Sequence, residues 1–324
     1  MTQHPEVTWE DIVAASRRIA PYAVRTPLLY AQALSRRAGT DVYLKCENLQ
    51  RTGAFKVRGA LNMVLALREQ PNPPRGVITA SSGNHGQAVA YAASLVGLPC
   101  TVVVPETVMP VKERAIRGYG ARVIRCGTMS SQRIERAEQL AREEGLAFVP
   151  PYDHPWVVAG QGTAGLEIAE DLPGVRTVFV PVGGGGLASG VATALKARIP
   201  GVRVVGVEPE LANDTYLSLQ AGHPVDIGET KTIADGLRTN HPGHYTFPIV
   251  QKRVDAIALV SEDTIRTAVV QLLESCKILV EPSGATSVAA VIAAAERGEL
   301  LDGPVVCVLS GGNMELSMLA EWLR

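Results

Sequence analysis

The chain has 324 residues, of which 46% are hydrophobic and 19% are charged, so it can bury the core of one or two globular domains. Its 31 Lys and Arg residues nearly cancel its 32 Asp and Glu residues, and 5% of its residues are aromatic. With neither a basic face nor a set of stacking rings, a nucleic acid or an anionic membrane is not expected as a partner.

The five cysteines are odd in number, widely spaced and without a Cys-x-x-Cys pair. The sequence therefore predicts neither a disulfide framework nor a zinc site. The first residues lack the basic and apolar stretches of a secretion signal. The longest apolar run, around residues 285–295, is shorter than the roughly 20 residues that a membrane-spanning helix needs. We expect a cytoplasmic protein with no membrane segment.

Short Val- and Ile-rich runs alternate along the chain with Ala-rich segments of helical period. The predicted strands, each followed by a helical segment, are 76–80, 100–105, 121–126, 177–182, 203–208 and 305–310. Continuous apolar strands separated by helices are typical of parallel sheets that helices cover on both faces. The expected fold class is therefore α/β, with doubly wound parallel sheets.

Two proline-rich stretches, at residues 71–74 and near residues 148–160, indicate where the chain passes between domains. We expect a small domain over residues 76–147, inserted into a large domain made of residues 1–75 and 148–324. The crevice between two such domains is where ligands bind in folds of this class.

The first segment that could carry chemistry is Thr52–Ala60, which opens a predicted helix. Lys56 lies there between Phe55 and Val57. Taken alone, it could be a lysine at a helix end whose amine reaches solvent. It could also be an amine partly desolvated in a cleft, with a lowered pKa, that attacks an aldehyde.

The second segment is Ser81–Gly86, between a predicted strand and an Ala-rich helix. Gly83 lets the backbone approach a ligand closely, and the amides at the helix start could hold a carboxylate. The alternative is a tight strand-to-helix connection in which Asn84 caps the helix.

The third segment contains four consecutive glycines, Gly183–Gly186, after the strand at 177–182. Such a loop is best explained by backbone amides that surround a phosphate at a helix N-terminus. The pattern Gly183-x-Gly185-x-x-Ala188, with Glu208 ending the next strand, also fits a dinucleotide fingerprint. An NAD-dependent oxidoreductase therefore stays open as an alternative.

The fourth segment, Ser310–Asn313, follows a predicted strand and is expected to open the last helix. Together, the four segments resemble the fold-type-II pyridoxal-phosphate (PLP) enzymes, which are tryptophan synthase β-like, and within them the serine/threonine dehydratase and serine racemase family. ENLQRTGAFKVRGALN resembles the Schiff-base lysine segment and SSGNHGQAVA the substrate-carboxylate loop. GGGGL resembles the phosphate cup and SGGN the segment beneath the pyridine nitrogen. The resemblance runs from near Ile12 to the last helix.

The resemblance implies pyridoxal 5′-phosphate as cofactor, a homodimer and a role for each matching residue. Lys56 would carry the cofactor and then act as the base at the substrate Cα. The cofactor-binding residues implied are Phe55, Lys56, Asn84, Gly183, Gly184, Gly185, Gly186, Leu187 and Ser310. The substrate-binding residues implied are Ser81, Ser82, Gly83, Asn84 and His85.

The activity implied is an ammonia-lyase that eliminates water from L-serine or L-threonine to give a 2-oxo acid and ammonia. Ser82 resembles the racemase and hydroxyaspartate-dehydratase branch, in which it could return a proton from the face opposite Lys56. A spectator role for Ser82 is equally open. The alternative within the family is a 3-hydroxyaspartate dehydratase, whose second carboxylate Arg133 could reach, although a surface arginine is the simpler interpretation.

The segment from Glu208 to Asp214 resembles the family's divalent-cation site. The side chains of Glu208 and Asp214 and the carbonyl of Ala212 would bind Mg²⁺, Ca²⁺ or Mn²⁺, ions that prefer oxygen ligands. Without the resemblance, an acidic turn that caps the following helix explains the same residues.

Overall fold

The computed structural model describes residues 5–81 and 83–323 and, for Ser130, the backbone alone. The strands are β1 (Leu28–Tyr30), β2 (Val42–Lys45), β3 (Val77–Ala80), β4 (Cys100–Val104), β5 (Arg122–Arg125), β6 (Ala147–Phe148), β7 (Thr177–Pro181), β8 (Arg203–Pro209), β9 (Ala256–Val260) and β10 (Val305–Val308). The helices are α1 (Trp9–Ile19), α2 (Gln32–Ala38), α3 (Lys56–Arg68), α4 (Asn84–Leu95), α5 (Pro110–Gly118), α6 (Ser130–Glu144), α7 (Pro155–Asp171), α8 (Gly186–Arg198), α9 (Asp214–Ala221), α10 (Thr246–Arg253), α11 (Glu262–Gln271), α12 (Pro282–Glu296) and α13 (Leu316–Trp322). Within these described ranges, no helix combines the length and the apolar character needed to cross a membrane.

The larger sheet has the strand order β1-β2-β10-β7-β8-β9, and its strands are parallel except that β1 runs antiparallel to β2. Successive side chains of a strand point to opposite faces. Phe179 of β7 accordingly packs with α2, α11 and α12, whereas its neighbours Val178 and Val180 pack with α7, α8 and α10. Because helices cover both faces, β7 is apolar at successive positions, which is why the strand could be predicted.

The smaller sheet has the strand order β5-β4-β3-β6, and all its strands are parallel. Its core includes Val102 of β4 and Val89 of α4. Val57 and Leu61 of α3 pack into the same core, although α3 precedes the strands of this sheet. The α/β class with two parallel sheets is confirmed, whereas the division into domains at residues 76 and 147 stays a prediction.

Helices α3 and α7 approach each other closely enough that glycine is required. A Cβ atom on Gly160 would lie 2.5 Å from the carbonyl oxygen of Arg58 and 2.6 Å from the Cα atom of Gly59. Any larger residue would push the helices apart. The contact holds the first turn of α3, which begins with Lys56, against α7.

The segment Ser310–Asn313 differs from the sequence expectation, because the last helix begins only at Leu316. Gly311 forms an isolated antiparallel bridge with Ala54. The amide of Gly312 donates to the carbonyl of Gly53 at 2.9 Å. These bonds hold the segment extended beside the residues that lead into α3, so it cannot turn into a helix there.

Candidate active site

A cavity of about 470 Å³ lies between the start of α3 and the residues that follow β3, β7 and β10. Most of the residues predicted to bind cofactor or substrate line it: Phe55, Lys56, Ser81, Gly83, Asn84, His85, Gly183, Gly184, Gly185, Gly186, Leu187 and Ser310. Ser82, predicted to be catalytic and substrate-binding, lies outside the described residues. Parallel strands bring their carboxyl ends to one edge of a sheet, which explains how segments distant in the chain meet here.

Lys56 is the first residue of α3, and its amine donates a hydrogen bond of 2.7 Å to the carbonyl oxygen of Pro151. The nitrogen lies 5.1 Å from the ring centre of Phe55 and 5.9 Å from that of Tyr152. Burial among these groups lowers the pKa of the amine from 10.5 to about 8. A neutral amine, the form that attacks aldehydes and accepts protons, is therefore accessible near neutral pH.

Asn84 is the first residue of α4, but its side chain does not cap the helix. Its Nδ2 atom donates to Oε1 of Glu281 at 2.7 Å, and its Oδ1 atom accepts from Nδ2 of Asn313 at 2.8 Å. The same Asn313 nitrogen donates to the carbonyl oxygen of Thr52 at 2.7 Å. These bonds fix the orientation of the Asn84 amide at the wall of the cavity.

Glu281 lines the cavity and is buried, and sequence reasoning assigned it no role. Burial raises the pKa of its carboxyl to about 8, and the negative charge of Asp235 adds to the increase. A group with this pKa can hold or release a proton near neutral pH. The residue types around it gave no local signal, since its partner Asn84 is distant in the chain.

Tyr152 is a cavity residue that sequence reasoning missed. Its ring lies flat against the glycine loop: a Cβ atom on Gly184 would be 2.4 Å from three of its ring carbons. A Cβ atom on Gly186 would lie 2.9 Å from the Cβ atom of Tyr152. The contacts explain why two of the four positions must be glycine. The only signal in the sequence is an aromatic residue that follows two prolines.

The glycine loop connects β7 to α8, which begins at Gly186. Gly185 has a φ angle of +86°, a conformation that other residues rarely adopt, and no side chain caps the helix. The first amides of a helix have no acceptor inside it and attract anions. The loop therefore offers the cavity a site suited to a phosphate.

Ser310 and His85 complete the lining. The Ser310 hydroxyl donates to the carbonyl of Ser283 at 3.5 Å, which is long for a hydrogen bond and leaves the hydroxyl available to a ligand. A ring nitrogen of His85, Nε2, lies 3.0 Å from the carbonyl oxygen of Val149 and must donate to it. Burial lowers the pKa of His85 to about 3, so the ring is neutral near pH 7 and cannot serve as an acid there.

Glu208, Ala212 and Asp214, predicted to bind a divalent cation, are buried away from the cavity lining. The Glu208 carboxylate accepts from the amides of Thr215 and Tyr216 at 3.0 and 2.8 Å. Burial raises the pKa of Glu208 to about 8, aided by the charge of Asp214, and burial raises that of Asp214 to about 7. Within the described ranges, no group of three or more His, Cys, Asp or Glu side chains could hold a metal.

Besides Lys56, three cationic side chains line the cavity, those of Lys112, Arg133 and Arg238. Arg133 donates through Nη1 to the carbonyl of Thr128 at 2.9 Å. Lys112 pairs with Asp235 at 3.1 Å, although both side chains remain partly exposed. The cavity lining therefore combines cationic side chains with the carboxyl groups of Asp235, Glu281 and Glu315.

The comparisons with known proteins agree with this geometry. The family described as pyridoxal-phosphate dependent enzymes matches residues 19–311, so the chain belongs to this family. It is 46% identical to an L-threonine ammonia-lyase of Geobacter sulfurreducens, over 95% of this chain and 76% of the relative. It is 44% identical to the L-threo-3-hydroxyaspartate ammonia-lyase of Saccharomyces cerevisiae, over 97% and 95%. The structure of maize serine racemase has a TM-score of 0.91 and 36% identity, covering 98% of this chain and 97% of that one.

Membership in this family confirms the predicted fold class and cofactor, and it sets aside the NAD-dependent alternative. Glu208, which would have held a ribose in that alternative, is buried and engaged with two helix amides. The cavity fits PLP in three respects. It has an amine for the aldehyde, a glycine loop in which a side chain at 184 would overlap Tyr152, and a hydroxyl at Ser310.

Proposed function

We propose that the protein is a PLP-dependent ammonia-lyase that eliminates water from L-serine or L-threonine and yields a 2-oxo acid and ammonia. The observation that carries the proposal is the meeting of Lys56, Asn84 and the Gly183–Gly186 loop at one cavity. Two relatives that match nearly the whole chain are ammonia-lyases, which supports the proposal. When bound, PLP withdraws electrons from the substrate and so makes its Cα proton acidic.

Lys56 would accept the Cα proton, because the neutral form of its amine is accessible near pH 7. Asn84 would lie beside the 3-oxygen of the cofactor, held in place by Glu281 and Asn313. The amides of Gly183 to Leu187 would bind the phosphate. Ser310 would face the pyridine nitrogen with a neutral hydroxyl, which moderates electron withdrawal and lets elimination compete.

An assay of 2-oxo acid release from L-serine and L-threonine tests the proposal. Lys56→Ala should lower kcat by a factor on the order of 10³ or more, because the variant lacks the base. The matched control is Lys252→Ala, an exposed lysine paired with Glu6, which should keep wild-type activity. Equal activity of the two variants, or no 2-oxo acid from the wild type with either substrate, would reject the proposal.

A second candidate substrate is L-threo-3-hydroxyaspartate. The position of Arg133 in the cavity lining favours it, since a guanidinium can bind a second carboxylate. Arg133→Gln should then lower kcat/KM for hydroxyaspartate by about tenfold to a hundredfold, as expected for a hydrogen bond to a charged group, and leave L-threonine within about twofold. An equal loss for both substrates would argue against this role.

Serine racemisation is a further proposal and depends on Ser82. A hydroxyl opposite Lys56 would return the proton to the other face of Cα. Ser82→Ala should abolish racemisation of serine and spare elimination from L-serine. If the variant racemises serine as fast as the wild type, Ser82 is not part of that reaction.

We also propose that Glu208, Ala212 and Asp214 bind a divalent cation such as Mg²⁺, Ca²⁺ or Mn²⁺. Two buried carboxylates whose hydrogen-bond partners are amides and a hydroxyl fit an added positive charge. Elemental analysis after dialysis against each ion should find about one ion per chain, and none in Asp214→Asn. Equal metal content in the two proteins would refute the site.

Location in the cytoplasm and assembly as a homodimer remain predictions. The five cysteines are free, as expected in a reducing compartment. Native mass spectrometry of the purified protein would measure the assembly directly, and a monomer at micromolar concentration would contradict the second prediction.

A further inference from the structure

The glycine loop needs contacts from outside itself to orient its peptide groups for phosphate binding. A receptor for a phosphate must direct its amides toward the anion and its carbonyls away from it. Glycine has the largest conformational freedom of all residues, so four in a row do not fix the peptide planes. Something outside the loop must hold them, since a mobile receptor loses affinity when it is ordered on binding.

Thr246, the first residue of α10, holds one of these peptides. Its hydroxyl donates a hydrogen bond of 2.6 Å to the carbonyl oxygen of Gly184. In a trans peptide, the N–H group of the next residue points opposite to the carbonyl. The bond therefore turns the amide of Gly185 away from α10. Gly185 lines the cavity, whereas Thr246 is wholly buried behind it.

Asp153 in turn holds Thr246. Its carboxylate accepts hydrogen bonds from three successive amides, those of His244, Tyr245 and Thr246, at 3.0, 2.8 and 3.2 Å. The carbonyl of Thr246 also accepts from the hydroxyl of Ser189 at 3.3 Å. A carboxylate at the first amides of a helix is a strong anchor, because the bonds are charge-assisted.

Residues 151–153 contact both the Lys56 amine and the glycine loop. The carbonyl of Pro151 accepts from the Lys56 amine, and the ring of Tyr152 lies against Gly184. Asp153 is linked to the carbonyl oxygen of the same glycine through Thr246. Three consecutive residues thus link the amine and the glycine loop, the two groups that a bound cofactor must span.

We propose that Thr246 is a positioning residue for the cofactor phosphate, anchored by Asp153, which orients the amide of Gly185 toward the phosphate. The proposal rests on the role of the glycine loop in the proposed function. Thr246 is buried and lies outside the cavity lining, so its effect should appear in the binding of the phosphate group.

The test compares the affinity of cofactor-free protein for PLP and for pyridoxal, which lacks the phosphate. Thr246→Val removes the hydroxyl at nearly constant volume. It should weaken PLP binding about tenfold, the loss expected for one hydrogen bond. The affinity of the variant for pyridoxal should stay within about twofold of the wild-type value. Thr246→Ser retains the hydroxyl and should restore PLP affinity. The ³¹P chemical shift of bound PLP should change in the valine variant and return in the serine variant.

Thr193→Val is the matched control. Thr193 is also buried, and its hydroxyl also donates to a backbone carbonyl, that of Ser189 at 2.8 Å. This substitution should cost similar stability in urea unfolding and leave PLP affinity unchanged. Unchanged PLP affinity in Thr246→Val, or an equal loss for PLP and pyridoxal, would overturn the proposal. These readouts measure binding, so they decide about Thr246 even if the wild type eliminates water from neither substrate.

Discussion

The carboxylates of Glu47 and Glu167 are buried against cations. Those of Glu208 and Asp214 are also buried, but they accept hydrogen bonds from amides and a hydroxyl. Arg58 donates to both oxygens of Glu47 at 2.7 and 2.8 Å and to both oxygens of Glu167 at the same two distances. Burial alone would raise the pKa of Glu47, but the charge and hydrogen bonds of Arg58 outweigh it and lower the pKa. In the second pair, burial raises both pKa values, and the charge of Asp214 adds to the increase at Glu208.

The difference separates a neutral cluster, formed by Lys45, Glu47, Arg58 and Glu167, from a pair of carboxylates that accept hydrogen bonds from neutral groups. Lys45 adds a bond of 2.6 Å to Glu167, so two cations and two carboxylates neutralise each other. This cluster connects β2 and α7 to α3 through Arg58, which lies two residues after Lys56. It therefore helps to hold the Lys56 amine in place. Glu208 and Asp214 have the oxygen ligands for a cation but hydrogen-bond only with neutral donors among the described residues.

The largest effect is expected from breaking the neutral cluster. Arg58→Met leaves two carboxylates buried without their main partner and should lower the free energy of unfolding by about 3–5 kcal/mol. Urea unfolding measures the change. Arg176→Met is the control, because the Arg176–Asp302 pair is exposed and should contribute little. A loss in Arg58→Met no greater than in the control would show that the cluster does not anchor α3.

If the proposed cation site exists, a divalent cation should stabilise the protein through Glu208 and Asp214 and not through the neutral cluster. Adding Mg²⁺ to chelator-treated protein at about 100 times its dissociation constant should raise the free energy of unfolding by about 2.7 kcal/mol. Glu208→Gln should abolish the response. Glu262→Gln, which changes a carboxylate that accepts from the Ile233 amide, should retain it. If Mg²⁺ raises the free energy of unfolding equally in both variants, Glu208 is not a ligand of the cation.

Lys56 is a third arrangement of buried charge, since its amine bonds to a neutral carbonyl. Its pKa of about 8 means that roughly a tenth of the amine is neutral at pH 7. The rate at which cofactor-free protein takes up PLP should therefore rise about tenfold between pH 7 and 9, with a midpoint near 8. The control is Nα-acetyl-lysine, whose amine titrates near 10.4. A midpoint near that value in the protein would contradict the desolvation of Lys56.

Local pattern was enough to predict the framework of the site. The strand at 177–182 is apolar because helices cover both its faces, and a run of glycines directly after it has few explanations other than an anion. Both features can be recognised from a short local stretch of sequence. The same holds for the start of α3, where Lys56 opens a helical segment.

The supporting residues could not be predicted, because each acts through a partner distant in the chain. Tyr152 and Thr246 meet at Gly184 from two separate segments, and neither position has a distinctive local pattern. Arg58 and Glu167 would be assigned to the surface, since charged residues are rarely buried unless paired. The placement of Ser310–Asn313 was wrong for the same reason, as its partners lie in the loop before α3.

Identification of the lysine that carries the cofactor tests the central claim most directly. The protein would be loaded with PLP, reduced with borohydride to make the attachment permanent, digested and examined by mass spectrometry. We expect the phosphopyridoxyl group on the peptide that contains Lys56. Its presence on another lysine of the wild-type protein, or its absence from every peptide, would contradict the account.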